Sequence, residues 1–499
     1  MVLYIMKIII KSPTVAYLED YKTEEISFIK KQLTYEDGKI LEQLKRHRRK
    51  TWWQQRDPYS FSQHEEILKD QLFECVLKKD SNGYWIRPAS IPYIKDIDFE
   101  LVNKISYPSL NPIAWHSQPE FNPYGYQSDS VSRLLKIKHG NIALPTGCGK
   151  SFILVLLTKE IGKDVVVVTP SKAIFKELYV EFQTRFGKHM VGGYGDGKKD
   201  IKKPITIAIG KSITMVKKNT EAYDFFKNKK ALLVDESHTW GANTLENVCH
   251  GVLKDVPYRL FVSATQTRGD GTVKLLQSII GKTVLEMSIE EAINKKYLCP
   301  LKFAVINTFS PSTINKRDPL ECKREHFLYN ENIAQTSAKI ANASWNVKNE
   351  STLILVEELR QIEMLVKYLK VPFTYIHSSS KKEAEVYGLQ KIDMQKEIEK
   401  FNNGEAKVLI GTRAIATGTN LYPTHNTINW MGGSSEIITK QGAMGRSTRW
   451  IKEKYKPFHK EKTHTKIWDF EVEGISILKN QLKRRVKYYQ ETGETVRFI

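Results

Sequence analysis

Three short stretches of this 499-residue chain combine residue types that do chemistry on phosphates. The first is Leu144-Pro145-Thr146-Gly147-Cys148-Gly149-Lys150-Ser151, with the apolar run Phe152 to Leu157 behind it. Glycines let backbone N–H groups close around a phosphate, the lysine adds a mobile positive charge, and the serine hydroxyl can ligate Mg²⁺. The apolar run reads as a helix whose N-terminus points at the anion. Leu144 stands where the usual phosphate loop has its first glycine, and a plain glycine turn between strand and helix is the competing reading. The second stretch, Asp235-Glu236-Ser237-His238, follows the aliphatic run Ala231 to Val234, 85 positions beyond Lys150. Asp235 can hold Mg²⁺ and Glu236 can orient and deprotonate an attacking water. In isolation the tetrapeptide would be a helix cap; its place after an aliphatic strand favours hydrolysis. The third stretch, Gln441 to Arg449, carries Arg446 and Arg449 three positions apart, on one face of a short helix. Such arginines stabilise the charge of a phosphoryl-transfer transition state, unless they are surface ion-pair partners.

The elements that must position these residues are strands alternating with helices. From about residue 121, Asn141 to Leu144, Asp164 to Val168, Ile205 to Ile209, Ala231 to Val234 and Arg259 to Val262 read as buried parallel strands, with helices such as Ile174 to Phe182 between them. Right-handed crossovers then bring the strand C-terminal ends to one edge. Ser263-Ala264-Thr265 leaves the last of these strands; alone it is a common Ser/Thr turn. A second series starts near residue 301. Leu301 to Ile306, Thr352 to Val356, Phe373 to Ile376, Val408 to Gly411, Thr427 to Met431 and Lys466 to Phe470 read as strands. Asn330 to Val347, Leu359 to Leu369 and Met394 to Phe401 read as helices. The two series share a layout and no sequence repeat. Ile475 to Gln490 is an amphipathic helix with Ile475, Leu478, Leu482, Val486 and Tyr489 on one face and Lys479, Lys483, Arg484, Arg485 and Lys487 on the other. That basic face suits either packing on the second domain or an additional DNA contact.

Residues 1 to about 118 read as a separate, small α+β domain. It has a strand at Lys7 to Lys11, helices at Glu24 to Leu33 and Lys39 to Arg49, and a hairpin of Phe73 to Leu77 with Tyr84 to Arg87 across an Asn82-Gly83 turn. Lys45 to Lys50 is a basic cluster followed by Trp52 and Trp53. It fits a phosphate backbone with stacked bases, or a solvated helix end with two core aromatics. Pro108, Pro112, Pro119 and Pro123 mark a linker. The net charge of +21 points to a polyanionic partner, most often nucleic acid. Five scattered cysteines without a Cys-x-x-Cys pair argue against a disulfide framework and a zinc site and suit a reducing cytoplasm. No apolar run approaches the ~20 residues that span a bilayer, and the N-terminal run, interrupted by Lys7, reads as a strand rather than a signal peptide.

In order, a Gly-Lys-Ser loop, Asp-Glu-x-His, Ser-Ala-Thr and Gln-x-x-Gly-Arg-x-x-Arg resemble motifs I, II, III and VI of superfamily 2 helicases and translocases, over residues ~121 to 470. The resemblance implies two tandem RecA-like parallel-sheet motor domains (119–300 and 301–470), a small N-terminal α+β domain (1–118) that binds DNA, and a C-terminal basic helix (471–499). It implies ATP and Mg²⁺ as cofactors. Thr146, Gly147, Cys148, Gly149, Lys150 and Ser151 would hold the nucleotide, Ser151 and Asp235 the metal. Gln127 resembles the adenine-reading glutamine, Tyr124 stands where relatives often carry a stacking arginine, and Gly418 in the motif V-like Thr417-Gly418-Thr419-Asn420 completes the set. His238, Ser263, Thr265 and Gln441 would couple the nucleotide to the DNA track. Thr169 and Pro170 resemble motif Ia and Lys211 and Ser212 the region of Ib. Leu353 to Val356 resembles motif IV, and Thr412 and Arg413 belong to motif V; in the family these regions grip one strand by its phosphates. Thr267-Arg268-Gly269-Asp270-Gly271 resembles the Arg-Glu-Asp element of XPB-like helicases, with glycine for glutamate. The compact format is similar to that of UvsW-type phage branch-migration helicases, with a T5-like phage as the suggested source.

The expected function is therefore ATP-dependent helicase action, as a monomer, on forked, branched or partly single-stranded DNA. A duplex translocase that never separates strands, an RNA helicase, and a nucleic-acid-binding scaffold with a decayed motor are the alternatives. A nuclease fusion is disfavoured, because residues 1 to 118 carry no clustered metal-binding carboxylates.

Overall fold

The computed structural model describes residues 5–120, 122–240, 242–264, 273–313, 318–415, 421–434 and 438–499, without the side chains of residues 238, 242, 414, 438, 440 and 441. The chain divides into two compact units. One comprises Met1–Leu144 with Gly149–Glu286, the other Pro145–Cys148 with Met287–Ile499.

The first unit is built on an eight-stranded sheet. From edge to edge its strands are Lys198–Lys199, Val191–Gly195, Ile205–Ile209, Val165–Thr169, Ala231–Val234, Tyr258–Ser263, His139–Ala143 and Thr283–Glu286. Every pairing except the first is parallel. The central strands are aliphatic on both faces and fully buried, as helix cover on both sides requires. Register lines up their C-terminal ends: Ala143 sits opposite Ser263, and Val168 opposite both Ala208 and Val234. Ser263 thus ends the strand that lies between the one leading to Lys150 and the one leading to Asp235. Two strands at or next to the sheet edges escape the sequence pattern. Val191–Gly195 has three glycines in five residues, and Thr283–Glu286 is too short to show a period.

The N-terminal residues form a five-stranded sheet in the order Lys78–Asp80, Gly83–Ile86, Val15–Glu19, Met6–Ser12 and Phe99–Asn103. The Asn82-Gly83 hairpin forms, but its first arm is Lys78–Asp80. Phe73–Cys75, expected in that role, pairs instead with Thr34–Glu36. The turn dictates the arm nearest to it, and the more apolar run was taken by a different partner. This sheet shares one continuous core with the parallel sheet, running from Met6, Ile8 and Leu18 to Val166, Val168 and Phe261. Polar ties reinforce the join. Arg87 donates to Ser278 Oγ at 2.8 Å and pairs with Glu246, and Tyr93 OH donates to the Gly281 carbonyl at 3.0 Å. The proline-marked segment is not slack either. Asn111, Ile113 and His116 donate backbone N–H groups to the carbonyls of Ile161, Lys159 and Arg185.

The second unit carries a seven-stranded sheet, in the order Phe373–Ile376, Val408–Gly411, Thr352–Val356, Asn426–Trp430, Thr465–Val472, Leu301–Thr308 and Val496–Phe498. All its pairings are parallel. The three-residue strand at the very end was invisible in the sequence. The helix Ser476–Gln490 packs on this sheet through Leu478, Leu482, Arg485 and Tyr489. Arg485 therefore does not belong to the solvated basic face. It occupies a position of the buried stripe, where its Nε and Nη2 donate to the two oxygens of buried Asp469 at 2.7 and 2.8 Å. Tyr489 OH donates to the same carboxylate at 2.7 Å. Lys483, Arg484 and Lys487 stay exposed. No helix among the described residues is long and apolar enough to cross a membrane.

Candidate functional site

The phosphate-loop residues leave the strand His139–Ala143 and enter the helix Lys150–Ile161. Two glycines make this turn: Gly147 at φ +99° and Gly149 at φ +70°, both in the left-handed region that a side chain disfavours. Gly149 is also sterically committed, since a Cβ there would lie 2.6 Å from Gln127 Nε2. Gln127, buried on the first turn of the helix Gly125–Ile137, accepts the Tyr124 N–H through its Oε1 at 3.0 Å. The structure thus packs the expected adenine reader against the loop, while Tyr124 is 48% exposed and its ring stacks 5.8 Å from that of Tyr126. Ser151, half-buried, follows Lys150 in the first turn of the helix.

Lys150 is buried. Its ammonium donates to the Leu144 carbonyl at 3.3 Å and lies 3.5 Å from Glu236 Oε1. Asp235 continues the strand Ala231–Val234 and is buried as well, with one carboxylate oxygen accepting the Glu236 N–H at 2.9 Å. Glu236 itself is left-handed, at φ 47°, a conformation that costs a non-glycine residue about 1 kcal/mol. Burial first, then the neighbouring Glu236 carboxylate, push the Asp235 carboxyl up to about 8, against the pull of Lys150. With the Ser151 hydroxyl Asp235 offers the hard oxygen donors that suit Mg²⁺. Ser263 is fully buried between the two turns, and its carbonyl accepts the Leu144 N–H at 2.9 Å. Thr265, Arg268 and Gly418 lie outside the described residues, as do the side chains of His238 and Gln441.

The expected strand-gripping residues of the first unit separate into two kinds. Pro170 and Lys211 line one cavity of about 570 Å³, together with Thr214, Thr239, Trp240 and Asn247. Ser212 is half-buried beside them in sequence. Thr169 differs from them in exposure. It is fully buried at the end of its strand, and its hydroxyl donates to the carbonyls of Ser171 and Ala208 at 3.3 and 3.4 Å. The strand's last side chain points into the sheet, as alternation demands.

In the second unit Arg446 is buried and Arg449 half-buried. The expected short helix bearing both is corrected. A π-helical turn, Ile438–Met444, runs into Gly445–Ser447, and Arg449 lies beyond its end. That turn is anchored by neighbours. Ser447 Oγ hydrogen-bonds Thr427 Oγ1 at 2.6 Å, and its carbonyl accepts from Thr465 Oγ1 at 2.8 Å. The buried Lys462 ammonium donates to the carbonyls of Ser447 and Arg449 at 2.6 and 2.7 Å. Burial holds the Lys462 amine down at about 8. Nothing in the sequence marks this lysine among its many surface counterparts. Arg413, exposed, pairs with Glu357, which also takes Lys323, and Thr412 is buried at the end of its strand.

Comparison with known proteins agrees with this arrangement. Residues 120–268 match the model of the type III restriction enzyme res subunit family, and residues 334–450 the helicase conserved C-terminal domain. The chain belongs to superfamily 2 of the helicases. This superfamily 2 chain is 24% identical over 367 residues to the DNA 3'-5' translocase XPB2 of Sulfurisphaera tokodaii, covering 66% of this chain and 79% of that one. It is 20% identical over 384 residues to the ATP-dependent DNA helicase uvsW of Enterobacteria phage T4, covering 73% and 71%. Among solved structures, dbp5 of S. cerevisiae is similar with a TM-score of 0.51 at 14% identity, covering 76% of this chain and 89% of that one, a likeness of fold alone. The two parallel sheets are those of tandem RecA-like domains beside a small N-terminal sheet, and the chain is an ATP-dependent DNA helicase or translocase, an ATP hydrolase.

Proposed function

We propose that this enzyme couples ATP hydrolysis to movement along one strand of forked or branched DNA and so remodels junctions, including by branch migration. The observation that carries the nucleotide half of the reading is the Lys150–Asp235–Glu236 cluster, with its αL glycines and its buried acid. Thr146 to Ser151 and Lys150 would hold the ATP phosphates, Gln127 and Tyr124 the adenine, and Gly418 a further part of the nucleotide. Ser151 and Asp235 would hold Mg²⁺, which when bound neutralises phosphate charge. Glu236 would take the proton of the attacking water. Arg446 and Arg449, from the second motor domain, would offset charge on the transferred phosphoryl. His238, Ser263, Thr265 and Gln441 would couple this chemistry to the grip on DNA by Pro170, Lys211, Ser212, Arg268, Thr412, Arg413 and the backbone at Thr169. We take residues 119–300 and 301–470 as the motor domains and 471–499 as a basic C-terminal helix.

Residues 1–118 would bind DNA as an accessory domain. Between Gln43 and Arg56 there are six lysines and arginines and no acid. Trp52 is 62% exposed, and Lys45, Arg49, Lys50 and Arg56 nearby in sequence are exposed too, whereas Trp53 packs edge-on against His47 at 5.1 Å. One tryptophan is structural, and the other offers its face to a base. The compact format and the kinship with a phage enzyme support a phage setting in the host cytoplasm, with the protein acting as a monomer.

The test is ATP-dependent strand displacement and branch migration on forks, bubbles and four-way junctions, with either strand tailed. The reading expects product from forks and four-way junctions. ATPase stimulated by duplex DNA without strand displacement would establish the translocase alternative, stimulation by RNA over DNA the RNA helicase. No ATPase at all would leave a nucleic-acid-binding scaffold.

A further inference from the structure

Trp240 stands five residues after the acid and belongs to none of the motifs, yet two of its contacts bridge regions with different tasks. Its indole N–H donates to the Asp235 carbonyl at 3.0 Å, so it holds the backbone of the acidic turn. The outer edge of its ring meets Gly210, where a Cβ would fall 2.0 Å from a ring carbon. The φ of Gly210 is not in the left-handed region, so glycine serves there to admit the ring, not to make a turn. Trp240 is 4% exposed and forms one wall of the cavity whose charged member is Lys211, the residue after Gly210.

We propose that Trp240 is the positioning residue through which a DNA backbone phosphate bound beside Lys211 acts on the acidic turn. A phosphate drawn to Lys211 pulls on the short helix Gly210–Thr214. The ring has no clearance from Gly210, so it moves with that helix, as close packing transmits displacement. Its N–H carries the Asp235 carbonyl with it, and Glu236, held at φ 47°, is the next residue along. DNA would thereby set the carboxylate that activates water.

This inference rests on the DNA-stimulated ATPase reading above, and the experiment separates the two. ATPase of the full chain is measured with and without a single-stranded oligonucleotide, for wild type, Trp240→Phe and Gly210→Ala. Phenylalanine loses both the N–H and the outer ring carbons that meet Gly210; alanine at 210 keeps the indole and pushes it away. The expected result is an about tenfold lower stimulation factor at saturating DNA in both variants, a coupling loss of ordinary size for linked sites. It should appear in kcat and not in the DNA concentration giving half-stimulation. Full stimulation in Trp240→Phe, or a loss confined to the half-stimulating concentration, overturns the inference, because the indole would then be only a cavity wall. An unstimulated wild type overturns the underlying reading together with it.

Discussion

The acid-bearing turn at Asp235 and the arginine-bearing turn at Arg446 both hold buried charge, and they are held by opposite means. The acidic turn is strained and self-contained: a left-handed Glu236, a carboxylate against the next N–H, a lysine 3.5 Å away. The arginine turn lies in α- and π-helical backbone, and its carbonyls are tied down from outside by Thr465 and Lys462. The difference suits the roles proposed for the two turns. A buried carboxylate proposed to hold a metal ion sits on the turn whose own backbone is left-handed. An arginine proposed to meet a phosphate needs a rigid mount, and backbone carbonyls anchored by a neighbouring ammonium provide one.

The largest effect should come from the acidic side. Lys150→Ala and Glu236→Gln should bring ATP hydrolysis below detection while DNA binding in a fluorescence-anisotropy titration survives; retained DNA-stimulated turnover in Lys150→Ala would falsify the assignment of the loop. Next, Arg446→Ala should still bind a fluorescent ATP analogue but turn over about 10³-fold more slowly. Equal loss of binding and turnover would mean that the arginine turn acts in the ground state, and the contrast between the turns would collapse. A third variant concerns Arg485, an arginine buried in the same unit and bonded to the Asp469 carboxylate. Asp469→Asn should cost about 3–5 kcal/mol in chemical unfolding, because it strands a buried guanidinium. The smallest effect concerns Lys462. Its amine is held down at about 8, below its ordinary value of 10.5. Between those two values the unfolded chain binds the extra proton, so the contribution of this residue to stability rises with pH across that window, by about 3 kcal/mol at most. Lys462→Met, compared with wild type by thermal melts at pH 7 and pH 10, should remove that rise; identical pH slopes would mean that the amine is hydrated.

Most of the motor architecture was legible because buried parallel strands are uninterrupted aliphatic runs. Val165–Thr169, Ile205–Ile209 and Ala231–Val234 fall within a residue of their expected places. Val191–Gly195 was not legible because three glycines interrupt its apolar run, and the edge strand Val496–Phe498 because three residues are too few to show a period. Arg485 shows the same limit from the other side. Its type assigns it to solvent, and only Asp469 across the fold makes a buried position tolerable.

The sequence by itself determined the kind of protein. The glycines, lysine, acids and arginines of a nucleotide motor are chemical necessities, and their order along the chain can be read without coordinates. Only the tertiary structure decided which of the surrounding residues are connected to them. Gln127 is packed against Gly149, Trp240 is wedged between Gly210 and the Asp235 carbonyl, and Lys462 is bonded to the backbone of the arginine turn. These contacts join residues that are 5 to 30 positions apart and have no fixed spacing. Proximity of that kind comes from packing, and packing leaves no pattern in one chain's sequence.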